Sequence, residues 1–230
     1  MALRTLIGAL TGLALAALAS QPAQANMSLN KVIVDIGASD QNRDDIEVTN
    51  AGKETLFIKV DPYEILNPGT EKEERVSYPS PRDLGILVSP NRMVLEPGQR
   101  KLLRIAVLDR PKATDRIYRV HIYPVTGEVT AERSGVKIVI AYDALVIVRP
   151  ETPDVNIVAE RQGRTISFRN AGNTAAMLMR GEQCAPEGQP CEELPSQRLY
   201  AGNSWTTELP KDGAASWVVE VDETYTKREF

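Results

Sequence analysis

Apolar and polar residues alternate along most of this chain, in short runs that end at glycine, proline or asparagine. A period of two is typical of β-strands with one buried face, and the breaks predict turns. We predict strands at Val32–Ile36, Asp45–Thr49, Thr55–Asp61, Leu84–Val88, Met93–Leu95, Lys101–Leu108, Ile117–Pro124, Val136–Val148, Asp154–Glu160, Thr165–Arg169, Ala175–Arg180, Arg198–Ala201, Trp205–Glu208 and Ser216–Val221. Almost nothing has the period of a helix, so the chain is predicted to be all-β, built from sandwiches.

Two stretches of the chain, Ile46–Gly52 and Ile166–Gly172, have nearly the same pattern. Each begins with alternating apolar residues and ends in Asn-Ala-Gly, where Asn and Gly tolerate the positive φ angles of a tight turn. An apolar run follows in both cases. The repeat predicts two β-domains of similar topology, residues 26–149 and 154–230, with the proline-flanked segment 150–153 as a stiff linker.

The first 25 residues have the features of a secretory signal peptide. Arg4 precedes a mostly apolar run from Leu6 to Ala19, and Ala23–Ala25 fits the small-x-small cleavage pattern. No later segment approaches the ~20 apolar residues of a membrane helix. We expect cleavage after about Ala25, export, and no membrane insertion; an N-terminal anchor or a start-site artefact is the alternative.

Composition is ordinary for a globular protein, with 42% apolar and 25% charged residues. The net charge of −4 becomes −5 when Arg4 leaves with the signal. A mildly acidic chain argues against nucleic acid as a partner, although a local basic patch would survive this total.

The chain has two cysteines, Cys184 and Cys191, and their closeness in an exported protein predicts a local disulfide rather than two free thiols. A metal site would need further ligands nearby, and His121, the one histidine, lies far away in the sequence. We therefore expect no metal and no cofactor. A Ser-His-Asp hydrolase would have to use His121, and the common catalytic motifs are missing, so an enzyme is not expected. A pair among the 31 acidic residues is the catalytic alternative that the sequence leaves open.

The longest β signal runs from Gly135 to Pro150. Val136, Ile138, Ile140 and Tyr142 lie on one face of the predicted strand, and both faces become apolar in its second half. The second half is therefore predicted to be buried, and the first half is predicted either to lie at a sheet edge or to belong to a long core strand.

Four segments of the first domain form an ordered set: Met93–Gly98, Leu102–Ile105, Asp115–Val120 and the long strand ending at Arg149-Pro150. This set resembles the periplasmic chaperones of chaperone–usher pilus assembly. In the second domain, Asn170–Asn173, the two cysteines and Leu199–Gly202 are most similar to the branch that serves alpha-type fimbriae, such as the common pilus and the enterotoxigenic colonisation-factor fimbriae. The resemblance covers essentially all of Met27 to Val221.

The resemblance implies two immunoglobulin-like domains set at an angle, in a protein that holds pilin subunits in the periplasm for an outer-membrane usher. A pilin lacks the last strand of its sandwich, and the chaperone donates one by β-augmentation. Val136, Ile138 and Ile140 match the donor positions of the family, and Tyr142 is a fourth candidate contact. An exposed edge strand also predicts self-association of the unloaded protein.

One departure from the family concerns the pilin's terminal carboxylate, which typical members bind with an Arg on the first strand and a Lys on the long strand. The matching positions here are at or near Ile33 and at Leu145, and neither side chain can donate a hydrogen bond. Lys31 and Lys137 are candidate substitutes. Two explanations stay open: a different seating of subunits in the alpha branch, or a different client.

A charged network fixes the angle between the domains in the family, and Asp115 and Arg149 match two of its residues. A buried pair of this kind fixes geometry more reliably than it adds stability. The alternative for both residues is simple solvation.

A secreted adhesin or carbohydrate-binding sandwich is the alternative function. Trp205 and Trp217 are the candidate platform on which a sugar would stack. Their alternating apolar neighbours favour core packing for both tryptophans instead.

Overall fold

The computed structural model describes residues 27–38, 42–125, 139–184 and 190–230. The predicted signal peptide, and Val136, Lys137 and Ile138 of the long strand, lie outside the described residues. Within the described part of the chain, no helix combines the length and the apolar character needed to cross a membrane.

The first half of the chain forms a sandwich of two sheets. Its elements are β1 (Met27–Leu29), β2 (Ile33–Ile36), β3 (Arg43–Asn50), β4 (Leu56–Leu66), β5 (Glu74–Val76), α1 (Pro81–Leu84), β6 (Ile86–Ser89), β7 (Arg92–Leu95), β8 (Arg100–Val107), β9 (Arg116–Pro124) and β10 (Tyr142–Val148). One sheet has the order β1-β3-β8-β6, and the other has the order β2-β10-β9-β4-β5, with β7 also paired to β4. The inward-facing residues of both sheets form one apolar core.

The first strand is divided between these two sheets. β1 pairs antiparallel with β3, whereas β2, a few residues later, pairs in parallel with β10 in the facing sheet. Because β2 begins only at Ile33, it covers only part of the side of β10 that faces away from β9. The position of this division therefore determines over what length β10 has a second partner strand, in addition to β9.

The second half of the chain forms a smaller sandwich. Its strands are β11 (Ile157–Gln162), β12 (Thr165–Asn170), β13 (Ala176–Gln183), β14 (Glu192–Leu194), β15 (Gln197–Leu199), β16 (Ser204–Glu208), β17 (Ser216–Val221) and β18 (Thr224–Glu229). One sheet has the order β11-β12-β16 and the other β14-β13-β17-β18, with β15 also paired to β13. Phe168 and Trp217 are the largest side chains of its core. The all-β architecture with two immunoglobulin-like sandwiches confirms the predicted fold class.

The repeated Asn-Ala-Gly segments have the same role in both sandwiches. The side chain of Asn50 donates hydrogen bonds to the carbonyls of Glu54 and Leu95, at 2.8 and 2.9 Å, and accepts one from the Gly52 amide. Asn170 repeats this arrangement with the carbonyls of Thr174 and Leu199, at 2.8 and 3.0 Å, and with the amide of Gly172. Each buried Asn thus ties a turn to a neighbouring strand end.

The two sandwiches contact each other through an apolar cluster of their own. It contains Ile65, Ile117, Leu145, Ile147 and Ala175, with Tyr200 packed against it. Beside this cluster, the amide of Asn203 donates a 2.8 Å hydrogen bond to the carbonyl of Pro68. The cluster lies on the outer face of the sheet that contains β10, opposite the core of the first sandwich. The second sandwich therefore contacts this outer face.

Candidate functional site

β10 has a partner strand along only part of one side. On the β9 side, pairing runs from Tyr142↔Ile122 to Val148↔Arg116. On the β2 side, pairing starts at Leu145↔Ile33 and runs toward Ile36. Among the described strands, none pairs with Tyr142–Ala144 on that side, so this stretch is an open sheet edge. We call it the open edge.

The backbone of the open edge has a donor ready for another strand. The amide of Leu145 donates to the carbonyl of Val32 at 2.9 Å, on the side of β2. Because alternate residues of a strand direct their N–H groups to the same side, the amide of Asp143 points to the open edge. Tyr142 and Ala144, in contrast, direct their amides toward β9.

Alternation also determines which side chains reach the core. Ala144, Val146 and Val148 are buried between the two sheets of the first sandwich, and Tyr142 packs against the same core. The hydroxyl of Tyr142 donates to the carbonyl of Met27 at 3.0 Å. Tyr142, predicted as a fourth subunit contact, is therefore held by its own domain.

Ile140 continues the line of these side chains beyond the core. It has the same parity as Tyr142, but 39% of it is exposed and it is not part of the apolar core. Val139 is exposed beside it. Residues 139–141 are not in a strand, unlike the prediction, because no neighbouring strand supplies ladder hydrogen bonds there among the described residues. Val136 and Ile138 share the parity of Ile140 in the sequence and stay predicted contacts.

Ile33 and Leu145, which stand at the positions of the family's carboxylate anchor, are direct neighbours. Leu145 pairs with Ile33 in the parallel register, but their surroundings differ. Leu145 is only 5% exposed and belongs to the cluster between the domains, whereas Ile33 is 46% exposed. Leu145 therefore packs between the two sandwiches and provides no charge for a carboxylate anchor.

Of the two candidate substitutes, Lys31 already has a partner. Its ammonium group lies 2.5 Å from a carboxylate oxygen of Asp44. A second anion would have to compete with this ion pair. Lys137 lies outside the described residues and stays a prediction.

A charged network between the domains is centred on Arg149. This guanidinium is completely buried and binds Asp35 with two hydrogen bonds, at 2.8 and 2.7 Å. It also donates to the hydroxyl of Thr174 at 2.6 Å and to the carbonyl of Ala175 at 3.0 Å. These hydrogen bonds of Arg149 therefore hold the second domain against β2.

Asp115 joins this network indirectly. It accepts hydrogen bonds from the Thr174 hydroxyl, at 2.8 Å, and from the amide of Ala175. Burial raises the pKa of Asp115, although both donors and the nearby Arg149 act in the opposite direction. The predicted pairing of Asp115 with Arg149 is thus corrected: Thr174 connects them, and Asp35 is the carboxylate that neutralises Arg149.

Asp35 was not among the predicted site residues, although a signal was present. It interrupts the otherwise apolar run Ile33–Ile36, at a position with the outward parity of Ile33. A carboxylate in such a run indicates a buried cation nearby. The partner could not be named from the chain alone, since β2 and β10 are more than 100 positions apart and pair in parallel.

A group of charged side chains surrounds Asp143 on the outer face of this sheet. Arg75 binds the carboxylate with two hydrogen bonds, at 3.3 and 2.7 Å. Arg119 lies 4.0 Å from it and donates to the Asp143 carbonyl at 3.3 Å, and Nδ1 of His121 lies 3.8 Å from it. One carboxylate thus faces two permanent cations and an imidazole.

The tryptophans do not form a platform for sugars. Trp217 has no exposed surface and donates its indole N–H to the carbonyl of Pro195 at 3.0 Å. Trp205 is half-buried and stacks on Phe168, with ring centroids 5.5 Å apart. Both residues belong to the packing of the second domain, so the carbohydrate-binding alternative loses the feature on which it depended.

Cys184 and Cys191 form a disulfide, which confirms the predicted pairing. The carboxylate of Glu182 approaches the two sulfur atoms. These sulfurs are bonded to each other, and Glu182 pairs with Lys227, so the group offers no thiolate to a metal ion.

No protein-family model matches this chain. In sequence, the chain is 28% identical over 165 residues to a fimbrial protein of Escherichia coli that is named as a component of CFA/I fimbriae. The match covers 67% of this chain and 66%, slightly under two thirds, of that protein. A second Escherichia coli relative, named for CS1 fimbriae, is 25% identical over 73% of this chain and 75% of its own length. Both relatives agree with the fimbrial branch that the second-domain residues resemble.

Several solved structures that are similar to this chain contain chaperones of fimbrial or pilus subunits. The class 5 fimbriae chaperone CfaA has a TM-score of 0.65 and 23% identity, over 89% of this chain and 98% of its own. The complex of the Salmonella enterica SafA pilin with the SafB chaperone gives a TM-score of 0.61 and 17% identity, over 90% of this chain and 96% of the matched one. The resemblance to these chaperones is thereby confirmed for the fold.

Proposed function

We propose that this protein is a periplasmic chaperone that binds fimbrial subunits through the open edge and delivers them to an outer-membrane usher. The observation that carries the proposal is the unpaired side of Tyr142–Ala144, next to the exposed apolar residues Val139 and Ile140. The fold and the fimbrial relatives support the same function. The signal peptide, with cleavage after about Ala25, and the domain bounds 26–149 and 154–230 belong to this proposal.

The physical basis is the completion of an unfinished sandwich. A pilin that lacks its last strand exposes part of its apolar core and a row of unpaired backbone groups. The segment around 135–148 supplies both the backbone partners and alternating apolar side chains. Each of Val136, Ile138 and Ile140 would contribute roughly 1.5–3 kcal/mol on full burial. This exceeds the net contribution of about 1 kcal/mol from each backbone hydrogen bond.

The network at Arg149 supports this function by fixing the direction of β10. Asp35 of β2, Arg149 at the end of β10 and Thr174 of the second domain are all joined by hydrogen bonds of 2.8 Å or less. A donor strand binds best when its direction is set before the partner arrives, because less entropy is then lost on binding. The same open edge would let unloaded copies pair with each other.

Substitution of a donor residue tests the proposal. The proposal predicts a fimbrial subunit gene beside the gene of this protein; the two proteins are co-expressed, and the amount of subunit in the periplasm is measured. Ile138→Asp should abolish the accumulation of subunit, because the complex would have to bury a charge. The variant alone should have the melting temperature of the wild-type protein. Val158→Asp, at an exposed apolar position of β11, is the matched control and should accumulate subunit normally. Unchanged subunit levels with Ile138→Asp would contradict the proposal.

A further inference from the structure

We infer that the outer edge of β18 pairs with the same edge of a second copy of this protein, antiparallel and about a twofold axis that passes through Thr226. This surface belongs to the second domain, so the open edge of β10 stays available for a subunit. Neither the surface nor its test depends on the proposed function.

β18 is the last strand of its sheet. It pairs antiparallel with β17, from Val221↔Thr224 to Ser216↔Glu229, and no other described strand pairs with it. The first sandwich differs at this point, because β2 covers part of the corresponding side of β10. Since the described strands of the second sandwich provide no such cover, the whole six-residue edge of β18 can accept another strand.

Alternate residues of β18 direct their backbone groups to this edge. Ala215 and Phe230 exchange two hydrogen bonds across the hairpin, at 3.3 and 2.8 Å. Hydrogen-bonded and non-hydrogen-bonded pairs alternate along antiparallel strands, so every second residue counted back from Phe230 also binds β17. The residues of the other parity direct both N–H and C=O away from β17: Tyr225, Lys227 and Glu229.

The same alternation divides the side chains of β18 between two faces. Arg228 pairs with Trp217, which is buried in the core, so Arg228 and Thr226 lie on the inner face. Tyr225 and Lys227 lie on the outer face and are both well exposed. A cavity of about 390 Å³, lined in part by Thr226 and Val219, adjoins the inner face. The inner-face side chains of an added strand therefore have space beside β18.

The charges of β18 are mostly held within its own domain. A lysine on a strand edge usually opposes pairing with another chain. Lys227, however, forms an ion pair with Glu182 of β13. The guanidinium of Arg228 donates to the carbonyl of Ile157 at 3.1 Å and lies over the ring of Phe230. The edge is therefore not a row of unbalanced positive charge.

The charges also select one register for a symmetric pair. A twofold axis perpendicular to the sheet keeps inner and outer faces separate, so residues of equal parity must lie opposite each other. Two such registers pair five residues of β18, with the axis at Thr226 or at Lys227. An axis at Lys227 would place this lysine opposite its own copy, and like charges directly opposite destabilise a strand pair.

The axis at Thr226 gives matching neighbours instead. Thr226 lies opposite its own copy, and Tyr225 lies opposite Lys227 of the second copy, twice by symmetry. Threonine pairs stabilise adjacent strands, and a lysine near a tyrosine ring is attracted to its face. Tyr225 and Lys227 also exchange backbone hydrogen bonds across the pair. Because one strand edge buries much less than the ~1,600 Å² of a standard interface, the dimer is weak and depends on concentration.

Cysteine cross-linking tests the position of the axis. Thr226→Cys places two thiols across a non-hydrogen-bonded pair, where Cα atoms are about 4.5 Å apart and a disulfide can form. Cys184 and Cys191 do not compete, because they are bonded to each other. The purified full-length mature protein is oxidised at several concentrations, and covalent dimer is measured on non-reducing gels. Thr224→Cys is the matched control, since it has the same parity but lies opposite Arg228 of the second copy.

Charge variants at Tyr225 test the same register without a disulfide. Tyr225→Lys places two lysines opposite each other on both sides of the axis and should weaken dimerisation about tenfold, measured by sedimentation velocity. Tyr225→Glu provides an opposite charge and should dimerise at least as well as the wild-type protein. An axis at Lys227 would reverse both effects, because Glu229 would then lie opposite residue 225. Thermal melting checks that each variant is folded.

We expect at least about tenfold more covalent dimer from Thr226→Cys than from Thr224→Cys at the same concentration. Equal amounts from the two variants would overturn the inference. Dimerisation of Tyr225→Lys as strong as that of the wild-type protein would overturn it as well. Cross-linking of Thr226→Cys that is lost when a fimbrial subunit is bound would show that the dimer forms through the open edge of β10, which also contradicts the inference.

Discussion

Ile33 and Leu145 are direct partners in the parallel register between β2 and β10. Leu145 is buried against the second domain, and Ile33 is exposed at the rim of the sheet. This pair marks the point where the chain's own strand stops covering β10 and the open edge begins.

Lysine at position 145 is therefore expected to damage the fold instead of restoring an anchor. Leu145→Lys places an ammonium group in the apolar cluster of Ile65, Ile117 and Ile147, and should lower the free energy of unfolding by about 2 kcal/mol or more. Ile33→Lys, the matched control at the exposed partner, should change it by less than about 0.5 kcal/mol. Urea unfolding measures both. Equal stability of the two variants would contradict the burial of Leu145.

The Asp35–Arg149 pair is expected to be essential for stability. Asp35→Ala leaves a fully buried guanidinium without its carboxylate, which should cost about 3 kcal/mol or more. Asp45→Ala removes a carboxylate that binds Arg104 with similar geometry in an exposed position, and should cost less than about 1 kcal/mol. Thermal unfolding of both variants tests the contrast. A cost for Asp35→Ala no larger than that for Asp45→Ala would mean that Arg149 is solvated.

Asn50 and Asn170 should contribute similarly to the two domains. Alanine at either position leaves two carbonyl groups without the donor that binds them, and should lower the free energy of unfolding by about 2 kcal/mol. Because the two sites lie in different sandwiches, the effects should add in the double variant. Denaturant titration of the two single variants and the double variant measures this. A strongly unequal pair of losses would argue against equivalent turns.

Tyr118 is expected to make stability depend on alkaline pH. Burial raises the pKa of its hydroxyl, an effect that the nearby Arg116 opposes. The folded pKa lies above the value of about 10 in the unfolded chain. The contribution of the neutral hydroxyl is therefore fully present below about pH 10 and is lost as the pH rises through the folded pKa.

Tyr118→Phe should remove this dependence. The hydroxyl is buried with no hydrogen-bond partner among the described residues, so its removal should also raise stability at pH 7 by about 1 kcal/mol. Melting temperatures from pH 7 to pH 11 should therefore diverge increasingly in favour of the variant. Tyr225→Phe, at an exposed position of β18, should follow the wild-type curve. A variant curve that runs parallel to the wild type would contradict the assignment.

The sequence predicted the strands and turns correctly where the alternation of apolar residues and the turn residues indicated the same element. Most predicted strands are present within a few residues, and the two Asn-Ala-Gly segments form the same turn. The pairing of Cys184 with Cys191 also followed from spacing in an exported chain. In these places the local sequence and the final contacts favour the same structure.

Other features depend on contacts that a linear pattern does not contain. The predicted strand Leu84–Val88 begins later, at Ile86, because Ser80 caps the short helix α1 that ends at Leu84. The segment from Asp222 to Phe230 has no alternating apolar pattern, yet Thr224–Glu229 is the edge strand β18, held by pairing with β17. Asp222 and Glu223 both have positive φ in the turn before β18. Asn-Gly at these positions would have predicted such a turn, whereas Asp-Glu does not.

The central claim is that a strand of another protein pairs with the open edge, and the backbone amide of Asp143 tests it most directly. Hydrogen exchange of this amide is measured in the free protein and in the purified complex with its subunit. The Ala144 amide, which points toward β9, is the internal control and should be protected in both. The account predicts that exchange at Asp143 slows by at least about tenfold in the complex. Exchange at Asp143 that is as fast in the complex as in the free protein would contradict it.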